Sequence, residues 1–150
     1  MPRRTALVVA VPGAAPYYQP GNGMPAHVTV LFPFLPPDEL DEEALAALLA
    51  RFPGFDVVFD RLERFDDGTP WLRPAPSAPF VDLTAAVWQR WPDSPPYEGA
   101  FDEVIPHLTV TRTDVPLPIA AHVGEVLLLE EGDDSLWETR RSFALAQRVA

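Results

Sequence analysis

Two short segments, HVTV at residues 27–30 and HLTV at residues 107–110, constrain the fold more than any other feature of the chain. In each segment apolar residues alternate with a histidine and a threonine, and a proline closely precedes the histidine. Successive side chains of a β-strand point to opposite faces of its sheet. Each segment is therefore predicted to be a strand with one apolar face and one face that carries an imidazole and a hydroxyl.

The repetition of this pattern is larger than the composition explains. The chain has three histidines, eight threonines and fifteen valines among 150 residues. A given histidine then has threonine at +2 and valine at +3 with a probability of about 0.005 if positions are independent. Two of three histidines in this context is a rare coincidence, even though threonine and valine both favour strands. The two segments are therefore interpreted as a functional pair.

The rest of the chain alternates short strands with two helices. The first helix is predicted over residues 39–52 with Asp38 as its N-cap, and the second over residues 80–91, entered through Pro79. The predicted strands are residues 5–11, 27–32, 55–65, a short strand around Trp71 and Leu72, residues 107–112, and two long strands within 119–147 joined by a turn at GDDS. This pattern is typical of an α+β fold, and without a linker the chain is expected to form a single domain over residues 1–150.

Composition and charge restrict the class of partner. The apolar fraction of 47% excludes a disordered chain, and the absence of cysteine excludes disulfides and thiolate metal sites. No apolar run is long enough to span a bilayer, so we expect a cytoplasmic protein without a membrane partner. The net charge of −11 argues against binding of long nucleic acid. Residues 1–37 contain no acidic residue, which leaves room for a local pocket that binds a small phosphate.

Imidazole and hydroxyl side chains at this spacing suit displacement at phosphorus. A neutral imidazole can deprotonate the incoming water and an imidazolium can protonate the leaving oxygen, since the unperturbed pKa lies near 6.5. A threonine two residues along the strand can donate to a non-bridging phosphate oxygen. This scheme requires no metal or other cofactor, and a zinc site would need three or four ligands. The alternative is that both histidines are buried strand residues with satisfied hydrogen bonds and no role in chemistry.

The same segments resemble a known family. HVTV and HLTV resemble the paired His-x-Thr-x motifs of the two-histidine (2H) phosphoesterase superfamily. PAHVTVLFPFLPPDEL and FDEVIPHLTVTR resemble the two signature segments of bacterial 2′-5′ RNA ligase family proteins, and the likeness runs from residue 5 to about residue 145. It implies two pseudo-symmetric lobes of antiparallel sheet with helices outside and a central cleft. By motif position, His27 and His107 would be the catalytic acid–base pair, and Thr29 and Thr109 the phosphate-binding residues.

The chain departs from the family pattern after the second motif. Only TDVPLP separates Arg112 from the next predicted strand, which is too short for the helix that the family usually has there, so the second lobe is expected to lack one helix. Arg112 itself is a candidate phosphate contact, because the family often has arginine at this position. Its alternatives are a solvated residue at the strand end or a structural ion pair.

Four aromatic residues are candidates for stacking on a base at the cleft, although each could instead pack in the core or at the rim. They are Tyr17, Tyr18, Trp71 and Tyr97. His122 has no threonine at +2 and is expected to be a structural or surface residue.

The function predicted from the resemblance is that of a metal-independent cyclic phosphodiesterase. It would hydrolyse or transesterify a 2′,3′-cyclic phosphate or a 2′-5′ phosphodiester, with a small cyclic nucleotide or an RNA end as its substrate. The protein is expected to be a monomer. The alternative is a non-catalytic protein that holds a phosphorylated nucleotide in the same cleft. Both interpretations use the same four motif residues, and the sequence does not assign which histidine is the acid.

Overall fold

The computed structural model of the chain describes residues 3–99 and 104–147. Residues 101–103, which begin the second signature segment, lie outside this part. The strands are β1 (Thr5–Ala10), β2 (His27–Leu31), β3 (Phe55–Arg64), β4 (Pro70–Ala75), β5 (Leu108–Thr109), β6 (Ile119–Val123), β7 (Glu125–Glu131) and β8 (Trp137–Ala144), and the α-helices are α1 (Glu42–Leu49) and α2 (Ala78–Arg90). The predicted α+β class is confirmed. In the described part of the chain, no helix has the length and apolar character that a membrane span needs.

The eight strands form one antiparallel sheet in the order β6-β3-β4-β5-β2-β1-β7-β8. The expectation of separate sheets on either side of a cleft is wrong in one respect. The two motif strands β2 and β5 pair directly through Val28 and Leu108, and this pair joins the two halves of four strands into a continuous sheet. Each half therefore contributes one motif strand to the centre of the sheet.

The motif strands turn their apolar residues toward the main core. Val28, Val30 and Leu108 are buried there together with Leu45 of α1 and Leu83 of α2. The alternation predicted from HVTV is observed, because His27 and Thr29 are only partly buried. A second, smaller apolar cluster contains Ala6, Val8, Leu129 and Trp137. Because side chains alternate along a strand, the imidazoles and hydroxyls of the motif strands lie on the face of the sheet that is opposite the main core.

The first helix begins later than predicted. Asp41, and not Asp38, is its N-cap, since the backbone N–H of Ala44 donates to Asp41 Oδ1 at 3.0 Å. Residues 37–39 form a separate 3₁₀ turn that is followed by an extended Leu40. The two prolines before Asp38 favour this turn at the expense of an earlier helix start.

The second motif strand and the C-terminal strands also differ from the prediction. β5 has only two residues, because the backbone N–H of Thr111 donates to the carbonyl oxygen of Tyr17 instead of continuing a ladder with a strand. The expected first long C-terminal strand is two strands separated by Gly124. β6 pairs with β3 and β7 pairs with β1, so the chain crosses from one half of the sheet to the other at this glycine.

Thr84 connects helix α2 to the motif strand β2. Its side chain is buried and its hydroxyl donates to the carbonyl oxygen of Val30 at 2.6 Å. Thr84→Val keeps the side-chain shape and removes the donor, so we expect the free energy of unfolding to fall by about 1–3 kcal/mol in urea denaturation. Thr139→Val, at an exposed position of β8, is the matched control and should change it by less than about 0.5 kcal/mol. An equal, small effect of both substitutions would contradict this role for Thr84.

Candidate functional site

The two motif histidines have the same local geometry. Nδ1 of His27 lies 2.7 Å from the carbonyl oxygen of Pro25, and Nδ1 of His107 lies 2.7 Å from the carbonyl oxygen of Ile105. A carbonyl oxygen only accepts hydrogen bonds, so Nδ1 carries the proton in the neutral form of each ring. Nε2 is then the basic nitrogen of both imidazoles. Each ring is thus oriented by the backbone two residues before it.

The register of β2 and β5 brings the four motif side chains together. From the pair at the centre of the sheet, the antiparallel register places His27 opposite Thr109 and Thr29 opposite His107. Cβ atoms of directly opposite residues are about 4.5–5.5 Å apart and those of diagonal neighbours about 7–8 Å. The two histidines are therefore diagonal neighbours with a threonine facing each of them. We refer to these four residues as the motif quartet.

The pKa values of both imidazoles are lowered from the ordinary value. Burial is the main cause, because it disfavours the imidazolium form. The hydrogen bonds to the carbonyl oxygens of Pro25 and Ile105 partly offset this effect, and the charge of His107 lowers the pKa of His27 further. The two rings are thus close enough for their charges to interact.

Aromatic side chains supply part of this burial. The rings of Phe65 and Trp71 meet His107 edge-on, with centroid distances of 5.0 and 6.1 Å. Phe65 also stacks on Trp71 at 4.9 Å, and Trp71 is only 5% exposed. The buried position of Trp71 therefore fits packing against the site, the alternative to base stacking. On the other motif strand, Tyr18 meets His27 edge-on at 5.7 Å.

A cavity of about 580 Å³ reaches the motif quartet at His107. Its wall is mainly aromatic and aliphatic, and two exposed carboxylates come from the turn between β3 and β4. No arginine is among the described residues that line it. The lining residues are Phe65, Asp66, Asp67, Tyr97, Val104, Ile105 and His107.

Tyr97 connects this cavity with the first motif. Its ring lines the cavity beside His107, and its backbone N–H donates to the carbonyl oxygen of Phe32 at 2.6 Å, just beyond the end of β2. Burial raises the pKa of the Tyr97 phenol, and the hydrogen bond with Thr29 offsets part of that rise. The sequence singles out Tyr97 for its ring, but nothing in the sequence points to its backbone hydrogen bond at the end of the motif strand.

Arg112 and His122 each pair with a carboxylate in the structure. Arg112 forms a bidentate ion pair with Asp114, in which its Nε donates to Oδ1 at 2.6 Å, and its guanidinium lies 5.9 Å from the centre of the Tyr17 ring. Hydrogen bonds from Arg112 hold the pKa of Asp114 at about 2. This geometry matches the ion-pair alternative for Arg112. His122 lies on β6, three places from β5 in the sheet, and pairs with Asp56 at 2.8 Å.

The potential metal ligands do not cluster in the part of the chain that the structure describes. Across residues 3–99 and 104–147, no group of three or more histidine, cysteine, aspartate or glutamate side chains is close enough to hold a metal ion.

The lowered histidine pKa values predict a pH dependence of stability. A group whose folded-state pKa is below its unfolded value of 6.5 binds more protons when unfolded, so stability is full above that value and is lost as pH falls below it. We expect the free energy of unfolding in urea to decrease between about pH 7.5 and pH 5.5. In the double variant His27→Asn, His107→Asn this slope should flatten. An unchanged slope would contradict the lowered pKa values.

The comparisons with known proteins agree with this architecture. The chain matches the family model described as the 2′-5′ RNA ligase superfamily over residues 3–141. None of the curated proteins compared with it matches significantly. Among solved structures, E. coli LigT complexed with 3′-AMP is similar at 21% identity, covering 98% of this chain and 100% of that chain, with a TM-score of 0.67.

Two other solved structures are similar over nearly their whole length. A crystal structure of a phosphoesterase is 20% identical and covers 97% of this chain and 100% of that chain, with a TM-score of 0.63. TT0787 of Thermus thermophilus is 19% identical with the same coverage and a TM-score of 0.65. At these identities the structural likeness establishes a shared fold.

Proposed function

Because the chain belongs to the 2′-5′ RNA ligase superfamily, we propose that it is a metal-independent phosphoesterase that opens 2′,3′-cyclic phosphates or cleaves 2′-5′ phosphodiesters. His27 and His107 serve as the acid–base pair, and Thr29 and Thr109 bind the phosphate. The observation that carries the proposal is the matched geometry of the two imidazoles. Each has its Nδ1 held by a backbone carbonyl, and they are diagonal neighbours on one face of the sheet.

The reaction needs one neutral and one protonated imidazole. Nε2 of the neutral ring takes a proton from water as its oxygen bonds to phosphorus, and the imidazolium gives its proton to the ribose oxygen as the P–O bond breaks. The substrate phosphate would lie between the two Nε2 atoms, since the Cβ atoms of diagonal neighbours are about 7–8 Å apart. The threonine that faces each histidine can donate to a non-bridging oxygen. Each histidine then contributes a factor of about 10²–10⁴ to the rate.

The cavity beside His107 supports a small substrate of low charge. A 2′,3′-cyclic phosphodiester carries one negative charge, whereas RNA carries one per nucleotide. The carboxylates of Asp66 and Asp67 lie at the cavity, and the histidine pKa values are lowered, so the site offers little positive charge to a polyanion. The aromatic and aliphatic wall suits a nucleobase. Structures of E. coli LigT with 3′-AMP and with ATP support a nucleotide as the ligand.

The pH dependence of turnover follows from the same pKa shifts. The catalytic base must be neutral and the acid protonated, which gives a bell-shaped profile. Because burial lowers both pKa values, we expect the maximum of kcat/KM, which reports on the free enzyme, below pH 7. A bound phosphate anion favours imidazolium, so the profile of kcat should lie at higher pH than that of kcat/KM. A rate that rises monotonically from about pH 5 to pH 9 would contradict this acid–base pair.

The proposed function is tested by turnover in the presence of a chelator. Purified protein with EDTA should convert a 2′,3′-cyclic nucleoside monophosphate to a single nucleoside monophosphate isomer. Chromatography separates the substrate from the 2′- and 3′-monophosphate products and so measures this conversion. Turnover that disappears with EDTA and returns with a divalent cation would overturn the metal-independent mechanism. Tight nucleotide binding without turnover of any of the four cyclic mononucleotides or of a 2′-5′-linked dinucleotide would identify a non-catalytic nucleotide-binding protein instead.

A further inference from the structure

Two neighbouring strands of the sheet, β3 and β4, carry arginines on the same face as the motif quartet. Leu62 and Leu72 are paired across these strands, and Leu72 is buried in the main core while Leu62 packs against it. Because side chains alternate along a strand, Arg61, Glu63 and Arg73 lie on the opposite face, which is that of the motif quartet. We refer to these three residues as the arginine cluster.

The register of the sheet sets the arginine cluster beside His107. β4 pairs with β5 through Leu72 and Leu108, so Arg73 is opposite His107 one residue further along. Arg61 is in turn opposite Arg73 on β3. Neighbouring strands are about 4.8 Å apart, so Arg73 and Arg61 are one and two strand spacings from His107. The arginine cluster therefore borders the motif quartet on the side of β4.

The guanidinium groups of the arginine cluster are held loosely. Nη1 of Arg61 lies 3.7 Å and Nη1 of Arg73 lies 3.9 Å from Oε1 of Glu63, and both distances are too long for a hydrogen bond. Arg4, by contrast, donates two hydrogen bonds of 2.8 Å to Glu131. Among the described residues, Glu63 is the only carboxylate that pairs with either arginine of the cluster, and neither guanidinium donates a hydrogen bond. The N–H donors of both arginines are therefore available to a ligand.

The charge of the arginine cluster suits one phosphate group. Two guanidinium groups and one carboxylate leave a surplus of one positive charge, in a chain whose net charge is −11. The side chains of Arg61 and Arg73 are 64% and 56% exposed, so a ligand can reach them from the open face. Guanidinium groups bind phosphate through N–H donors arranged in a planar fork. A surplus of one charge favours one further phosphate group over a long polyanion.

We propose that Arg61 and Arg73 form a second phosphate site, which binds a phosphate of the substrate one nucleoside away from the scissile phosphate. This rests on the proposed function, in which the scissile phosphate lies at the motif quartet. The ligand is then a nucleotide with one phosphate beyond the reacting one. That phosphate is a 5′-monophosphate on a cyclic mononucleotide or the next phosphodiester of an RNA end. Both present non-bridging oxygens to the two guanidinium groups.

The test compares three substrates that differ in the phosphate beyond the reacting one. They are adenosine 2′,3′-cyclic phosphate, its 5′-phosphorylated form, and the dinucleotide ApA with a terminal 2′,3′-cyclic phosphate. For the parent protein, kcat/KM of at least one substrate with a second phosphate should exceed that of adenosine 2′,3′-cyclic phosphate about tenfold, as expected for hydrogen bonds to a charged group. A preference for the 5′-phosphorylated form alone identifies a phosphomonoester as the ligand, and a preference for the dinucleotide alone identifies a phosphodiester.

Arginine substitutions show whether the preference arises at the arginine cluster. In the double variant Arg61→Gln, Arg73→Gln the ratio of the two kcat/KM values should fall from about tenfold to less than about twofold. The double variant Arg51→Gln, Arg90→Gln is the matched control, since it removes the same charge from exposed positions near the C-terminal ends of α1 and α2. This control should keep the preference. The absence of a preference in the parent, or an equal loss in both double variants, would overturn the second phosphate site.

The second phosphate site is also testable if the protein turns over none of these substrates. Calorimetry then compares the affinity for adenosine 3′,5′-bisphosphate with that for 3′-AMP. The bisphosphate should bind about tenfold more tightly to the parent and to the Arg51→Gln, Arg90→Gln variant, and about equally to the Arg61→Gln, Arg73→Gln variant. That result without turnover would support the second phosphate site while the catalytic proposal fails. Turnover without any preference for a second phosphate would overturn the second phosphate site alone.

Discussion

His27→Asn and His107→Asn should each lower kcat for a 2′,3′-cyclic nucleotide by at least about a hundredfold. Each substitution removes Nε2, the atom that exchanges a proton with water or with the leaving oxygen. Asparagine retains a donor for the backbone carbonyl that holds Nδ1 at 2.7 Å, so the local strand structure is kept. The double variant should be scarcely worse than either single variant, because the two rings act as a unit.

His122→Asn is the control for these substitutions. It also removes an imidazole, but an exposed one on the edge strand β6, where the ring pairs with Asp56. Its turnover should equal that of the parent. Losses that multiply in the double variant, or a single motif variant that keeps more than a tenth of the parent rate, would show that the histidines do not form an acid–base pair.

Thr29→Val and Thr109→Val should be the next most damaging changes. Valine keeps the shape of threonine and deletes the hydroxyl, so one hydrogen bond to the phosphate is lost. A donor that stabilises charge developing in the transition state contributes about 2–4 kcal/mol, which is about a 30- to 1,000-fold loss in kcat. Steady-state kinetics separates this outcome from uniform binding, in which KM rises and kcat is unchanged.

The two threonines should also respond similarly, since each faces a histidine across the β2–β5 pair. Circular dichroism and the urea midpoint of each variant control for folding. If neither kcat nor KM changes by more than about twofold, the threonines do not contact the phosphate and the proposed arrangement of the motif quartet is wrong.

The local features of the site are predictable from the sequence because successive side chains of a strand alternate between the two faces of the sheet. Alternation in HVTV predicts that Val28 faces the core and His27 the open face, and both do. The same reasoning identifies both motifs and the α+β class. Helix starts are less predictable, since the choice between Asp38 and Asp41 as N-cap depends on a local 3₁₀ turn.

Contacts between residues that are far apart in the sequence cannot be predicted from this alternation. Nothing within residues 107–112 indicates that Thr111 leaves the sheet to bond with the loop at Tyr17, so the predicted β5 is too long. Gly124 carries no signal that the strands on its two sides belong to opposite halves of the sheet. Tyr97 lines the cavity beside His107 from a turn with positive φ angles, and residue types such as tyrosine and glutamate do not predict that conformation.

The central claim is that the two motif histidines act on one phosphate, and a crystal structure with a bound nucleotide tests it most directly. The protein would be crystallised with 3′-AMP near pH 6. Nε2 of His27 and Nε2 of His107 should each lie within hydrogen-bond distance of an oxygen on the same phosphate, with the hydroxyls of Thr29 and Thr109 on its non-bridging oxygens. A phosphate that contacts only one of the two imidazoles, or that binds away from the motif quartet, would contradict the claim.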